Sequence, residues 1–119
     1  MSGLNRIEII GNVGKEPEMR FTPSGKPVTS FSVAVNSKFG GTDTTEWFNV
    51  IAWNKLAETC NQYLEKGQQV FVEGRLQTRS WEDNDNVKHY KTEVIANKVL
   101  FLGQRKQGEE SREESEELF

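Results

Sequence analysis

A chain of 119 residues with 34% hydrophobic and 28% charged residues, one cysteine and a formal charge of −3 has room for one domain with a modest core. A lone thiol excludes an intramolecular disulfide, and no apolar run approaches the eighteen or so residues that a membrane-spanning helix needs. The charge is unevenly placed: residues 109–119 carry six Glu and one Arg, leaving fourteen basic against twelve acidic residues in 1–108, so a weakly cationic body carries a strongly anionic end.

Asn5 to Ile10 places Ile7 and Ile9 on one side and Arg6, Glu8 and Ile10 on the other, which predicts a strand interrupted by Gly11 and Gly14. Glu16, Pro17 and Glu18 make a bend, and the short extended stretch Met19–Thr22 runs into a turn at Pro23, Ser24 and Gly25. From Pro27 to Asn36, Phe31, Val33 and Val35 alternate with Ser30, Ser32 and Ala34, a half-buried strand that leads to Phe39 and the Gly40–Gly41 loop. Glu46 to Trp53 is a third strand. Asn54 has the side chain of an N-cap, Leu56, Ala57, Cys60, Tyr63 and Leu64 recur at helical spacing, and Gly67 is placed to end the helix in a left-handed conformation. A fourth strand, Val70–Trp81, turns at Asp83, Asn84, Asp85 and Asn86, and the chain returns through Val87–Ala96 and Val99–Leu102 as a long, interrupted fifth. Three strands, one helix and two strands match the element order of the OB-fold, a five-stranded Greek-key barrel; another small antiparallel barrel or sandwich is the alternative.

The strand parities carry the chemistry. In the fourth strand the even positions Val70, Val72, Gly74 and Leu76 read as an inward face, so Arg75, Arg79 and Trp81 project outward together. In the third, Trp47, Asn49, Ile51 and Trp53 share one face and Phe48, Val50 and Ala52 the other. Two indoles then lie roughly 20 Å apart at about 3.4 Å per residue, far enough to hold separate bases of one extended strand. Periodicity leaves open the opposite reading, with the indole face inside and Phe48 at a subunit contact. Outward aromatics set among cations suit stacking on unpaired bases, with the guanidinium and ammonium groups on the phosphates. Catalysis is not expected: His89, Cys60 and the scattered carboxylates form no metal cluster and no nucleophile–base pair at a known spacing, so neither a catalytic residue nor a metal or cofactor is assigned. Cys60 falls on the apolar side of the helix and His89 on the return strand's surface.

Gly11-Asn12-Val13-Gly14-Lys15-Glu16-Pro17-Glu18-Met19-Arg20, Thr45-Glu46-Trp47, Lys55-Leu56-Ala57-Glu58, Tyr63-Leu64-Glu65-Lys66-Gly67 and Val72–Trp81 follow one another as in the bacterial-type single-stranded DNA-binding proteins, which the chain resembles from residue 3 to about 103. The resemblance implies an OB-fold domain over residues 1–103, with base-stacking positions at Phe39, Trp47, Trp53 and Trp81. Phe39 stands where tryptophan is frequent and Trp53 where phenylalanine is; both keep a flat aromatic face. Arg6, Arg20, Lys55, Arg75 and Arg79 are the candidate phosphate contacts. It also implies single-stranded DNA as partner, a homo-oligomer of tetramer type, and work in replication, recombination and repair in the cytoplasm, associated with the nucleoid. The same fold used as a replication-restart adaptor, or an RNA-binding protein, is the alternative. An adaptor would lack the aromatics; stacking alone does not inspect the 2′-hydroxyl.

Residues 104–119 are expected to be a disordered acidic tail, too charged to pack. Its tip, Glu116, Glu117, Leu118 and Phe119, resembles the acidic tip by which family members recruit replication, recombination and repair proteins, although Glu replaces the usual Asp and Leu118 stands where Pro is common. At about 5–6 Å times the square root of its length, such a tail reaches only about 20 Å.

Overall fold

The computed structural model describes residues 3–103. Along it run β1 (Ile7–Val13), β2 (Glu18–Phe21), β3 (Pro27–Phe39), β4 (Thr42–Trp53), α1 (Asn54–Tyr63), β5 (Gln69–Glu82) and β6 (Lys88–Leu102). Five of the strands close a ring: β1 pairs with β5, β5 with β6, β6 with β4, β4 with β3, and β3 returns to β1. Closure is narrow, through Asn12↔Ala34 and Val13↔Val33 on one side and the parallel contact Val50↔Val94, Ile51↔Ile95 on the other. The expected five-stranded barrel with its helix between the third and fourth barrel strands is therefore the fold. β2 is a short addition, a hairpin arm on β3 where the sequence indicated only an extended stretch.

The barrel is filled by small branched side chains. Val13, Val33, Val50, Val70, Val72 and Val94 are all sealed from water, at least one from every barrel strand, as a narrow interior requires. Phe48 packs against this core in its own chain. The face of β4 that carries Val50 and Ala52 is thus inward, and the face that carries the tryptophans is outward. Helix α1 plugs one end, placing Ala57 and Cys60 in the interior, and the buried Thr29 hydroxyl donates to the Ala57 carbonyl at 2.6 Å.

Three local expectations give way to geometry. Gly11 does not interrupt β1: the strand runs through it because Ala34 crosses so closely that a Cβ would overlap its carbonyl oxygen. Asn54 does not cap α1 with its side chain; its φ of 56° makes it the corner between β4 and the helix. Gly67 has the expected left-handed φ, 88°, but the helix has already ended at Tyr63, and Gly67 instead turns the chain into β5.

A second glycine sets the shape of the site. At Gly74 a Cβ would overlap the Ile95 carbonyl, and the β5–β6 register slips there from Glu73↔Lys98 to Gly74↔Ala96, leaving Asn97 as an extra residue on β6. A bulge of this kind bends and twists the pair. The pairing of β1 with β5 ends at Ile7↔Gly74 and that of β4 with β6 at Val50↔Val94. Past these residues β5 and β6 run on as a projecting hairpin, and Leu76, expected inside with Val70 and Val72, sits at the open margin and is exposed. Asp83 closes the hairpin tip by accepting the backbone N–H groups of Asp85 at 2.9 Å and Val87 at 3.0 Å.

Candidate nucleic-acid interface

Cross-strand register decides which side chains share a surface, because directly paired residues project from the same face. On β4, Trp47, Asn49, Ile51 and Trp53 pair with Ala34, Ser32, Ser30 and Val28 of β3, and Ser30 and Val28 pair with Glu18 and Arg20 of β2. On the other side Ile51 pairs with Ile95, Ile95 with Arg75, and the hairpin continues the row through Glu93↔Gln77, Lys91↔Arg79 and His89↔Trp81. All three tryptophans therefore belong to one continuous outward surface that crosses four strands and the β2 arm. They are open to solvent, Trp47 at 60%, Trp53 at 40% and Trp81 at 43%. Between them lies an open groove of about 430 Å³, with Ser30, Ser32, Asn49 and Ile51 along its floor and Lys15, Arg20, Arg79 and Lys91 among its walls.

Phe39 stands apart. It ends β3 beside a two-residue Gly40–Gly41 turn in which both φ values are positive, 58° and 83°, the type I′ signature that suits a tight hairpin. Its side chain is freely exposed, but by parity it belongs with Val33 and Val35, on the opposite face of the β3–β4 ribbon from Ala34 and Trp47.

The cations divide in the same way. Arg20 and Arg79 line the groove. Arg75 lies in the row of Ile95 and Ile51 and gives an N–H to Gln77, and Lys55 is exposed on the first turn of α1, two residues past Trp53. Arg6 is not brought to the groove. Its guanidinium is held by Glu8 at 3.1 Å and Glu73 at 3.3 Å on the outward side of β1 and β5, where Glu73 first and Glu8 second raise its pKa. That side also carries the half-exposed Ile10, with Phe71 and Leu100 beside it.

Trp81 is built into a chain of contacts. The Arg79 guanidinium carbon sits 5.0 Å from the indole centroid, and Arg79 Nε donates to Glu93 at 3.1 Å. The His89 ring stacks on the indole at 5.5 Å with 21° between planes, and its Nε2–H donates to Asp83 Oδ2 at 2.8 Å. His89 reads from the sequence as a plain surface residue, and neither Glu93 nor Lys91 is a candidate there, yet all three lie in the row of Trp81. The turn-forming run Asp83–Asn86 would centre the hairpin one residue out of register and pair Trp81 with Lys88. The strands are joined by the five residues 83–87, centred on Asp85, which pairs Trp81 with His89, Arg79 with Lys91 and Gln77 with Glu93. Among the described residues no group of three or more His, Cys, Asp or Glu is arranged to hold a metal. The residues Glu116, Glu117, Leu118 and Phe119 lie outside the described part of the chain.

A closed five-stranded barrel with one helix, carrying an exposed aromatic and cationic surface across its sheet, defines an OB-fold domain. The family model of the single-strand binding proteins matches residues 4–102, and the chain belongs to that family. It is similar to single-stranded DNA-binding protein 1 of Chlorobaculum tepidum, 45% identical over 112 residues that cover 89% of this chain and 69% of that protein. Among solved structures it is similar to the Plasmodium falciparum SSB complex with ssDNA, at 30% identity and a TM-score of 0.80, covering 87% of this chain and 98% of that one.

Proposed function

We propose that the protein binds single-stranded DNA without a catalytic step and with little regard to sequence. The observation that carries this reading is the register row that sets Trp47, Trp53 and Trp81 on one exposed surface around a groove walled by Arg20, Arg79, Lys15 and Lys91. Each indole offers a flat face worth about 1–3 kcal/mol to a stacked base, and all four bases have such a face. Duplex DNA keeps its bases stacked on one another and meets only the charges. Arg20 and Arg79 take phosphates within the groove, with Arg75 and Lys55 at its margins; Phe39 serves as a separate platform at the β3–β4 tip.

In this reading residues 1–103 are the DNA-binding domain and 104–119 a tail whose Glu116, Glu117, Leu118 and Phe119 dock replication, recombination and repair proteins in the cytoplasm. An anionic run beside an apolar pair suits a basic-walled apolar pocket. The domain works as a homotetramer, and the outward Ile10, Phe71 and Leu100 are the apolar surface on the described barrel that association would cover.

Titration with a dT oligonucleotide and with a hairpin duplex, followed by tryptophan fluorescence, tests the central claim. Quenching by dT at far lower concentration than by the duplex is the expected result, and equal quenching defeats it. An rU oligomer in parallel tests the RNA reading.

A further inference from the structure

Three carboxylates line the groove, Glu16, Glu18 and Glu93; the first two are exposed, and Glu93 alone of the three is buried, a placement that costs desolvation and in a groove for a polyanion calls for a use. Its side chain is only 9% exposed, and it lines the groove beside Arg79 and Lys91. One carboxylate oxygen accepts from Arg79 Nε at 3.1 Å and the other lies 4.0 Å from Lys91 Nζ. Nε is the guanidinium nitrogen nearest the side-chain stem. A bond there fixes the tilt of the plane while leaving both terminal nitrogens, with four N–H groups, open to a phosphate. The same plane lies against Trp81 at 5.0 Å. Arg79 is more than half exposed, so without this anchor a long side chain would sample many rotamers.

We propose that Glu93 is a positioning residue for single-strand binding: it locks Arg79 against the Trp81 indole so that phosphate and base are met by one prebuilt arginine–tryptophan unit. The inference rests on the single-strand reading above and adds to it a residue with the wrong charge for direct contact. That wrong charge makes the test one of sign. Simple electrostatics says that neutralising an anion in the groove tightens DNA binding, whereas loss of positioning loosens it.

Wild type, E93Q, R79Q and the double variant, as full chains, are titrated with a dT oligonucleotide over a range of salt, with thermal melts to confirm folding. E93Q is expected to bind roughly three- to tenfold more weakly. Its plot of log affinity against log salt is expected to be shallower by about 0.7, one phosphate contact on a single strand. The double variant should lose no more than R79Q alone. In a Trp47→Phe, Trp53→Phe background, Trp81 emission should shift when Glu93 is changed, because the guanidinium leaves the ring. E93Q binding as tightly as wild type or tighter overturns the proposal, as do losses that add in the double variant. If E93Q does not fold, E93D, which keeps the charge but withdraws it from Nε, carries the same expectations. Failure of wild type itself to bind dT would instead remove the single-strand reading.

Discussion

The indole of Trp47 lies over Gly14 so closely that a Cβ at residue 14 would overlap its six-membered ring. The glycine is therefore a seat for the platform, holding it at the edge of the groove where the β1 end meets β3 through the Gly14 N–H and Ser32 carbonyl, 2.9 Å apart. Replacing it with alanine displaces an exposed ring, not a core residue. Gly14→Ala should leave the melting temperature within a few degrees, change the tryptophan emission, and weaken dT binding by at most about 1–3 kcal/mol, the worth of one stacked base. Unaltered affinity with altered emission would mean that Trp47 does not carry a base.

The register row separates the aromatics into unequal groups. Trp47→Ala, Trp53→Ala and Trp81→Ala should each cost about 1–3 kcal/mol in binding a short dT oligonucleotide. Phe39→Ala should cost measurably less, because Phe39 lies across the β3–β4 ribbon from Trp47. Equal losses at all four positions would show that the strand path bends around the hairpin tip to reach both faces.

Much of this was legible in the chain because alternation survives wherever a strand half-faces a core. The parity of β4 separated Phe48, Val50 and Ala52 from the tryptophans without identifying the wet face; the packed core decides it. Close backbone crossings were not legible. Gly11 and Gly74 look like interruptions in one dimension, yet they are where Ala34 and Ile95 pass too near for a side chain, and no periodicity reports a neighbour so far along the chain. Leu76 keeps the inward parity, paired with the buried Val94, but β1 ends its pairing with β5 at Gly74 and leaves it uncovered, which alternation along one strand does not report. Arg6 shows the limit for charges: a basic residue near a strand start reads as a phosphate contact, and only the register reveals that it lies with Glu8 and Glu73 on the side of β1 and β5 away from the groove.

Arg6 and Arg79 should accordingly part company under mutation. Arg6→Ala removes two solvent-screened ion pairs, so the melting temperature should hardly move, and it should leave the salt dependence of DNA binding unchanged. Arg79→Ala should weaken binding and make that dependence shallower by about 0.7. Salt-series titrations of the two variants compare them directly. A shallower slope for Arg6→Ala would return that residue to the DNA path.

The hairpin tip has its own acid limit. The His89 ring N–H, and after it the backbone N–H of Val87, hold the Asp83 carboxyl below its ordinary range. A depressed carboxylate stabilises the fold above its unfolded-state value of about 3.9, and that contribution is lost as pH falls through the lower folded-state value. Below about pH 4 the tip should therefore loosen and the His89–Trp81 stack with it, seen as a change in Trp81 emission when Trp47 and Trp53 are replaced by Phe. Asp83→Asn should abolish that acid step; an identical step in the variant would place its cause elsewhere.

Cys60 sets the alkaline limit. Its thiol lies sealed among core residues at the inner face of α1, and burial alone pushes its pKa up to about 12. In the unfolded chain it ionises near about 8.5, so above that pH the unfolded state has fewer protons bound than the folded one. Stability must then fall as pH rises from about 8.5 towards the folded value, by no more than about 1.4 kcal/mol per pH unit from this group. Urea unfolding at neutral and alkaline pH should show that decline in wild type and a flatter one in Cys60→Ala, after allowing for the variant's lower stability throughout. A disulfide reagent should likewise react with the native protein only as fast as it opens. Rapid modification under native conditions would mean that the thiol is reached from solvent and that burial does not govern it.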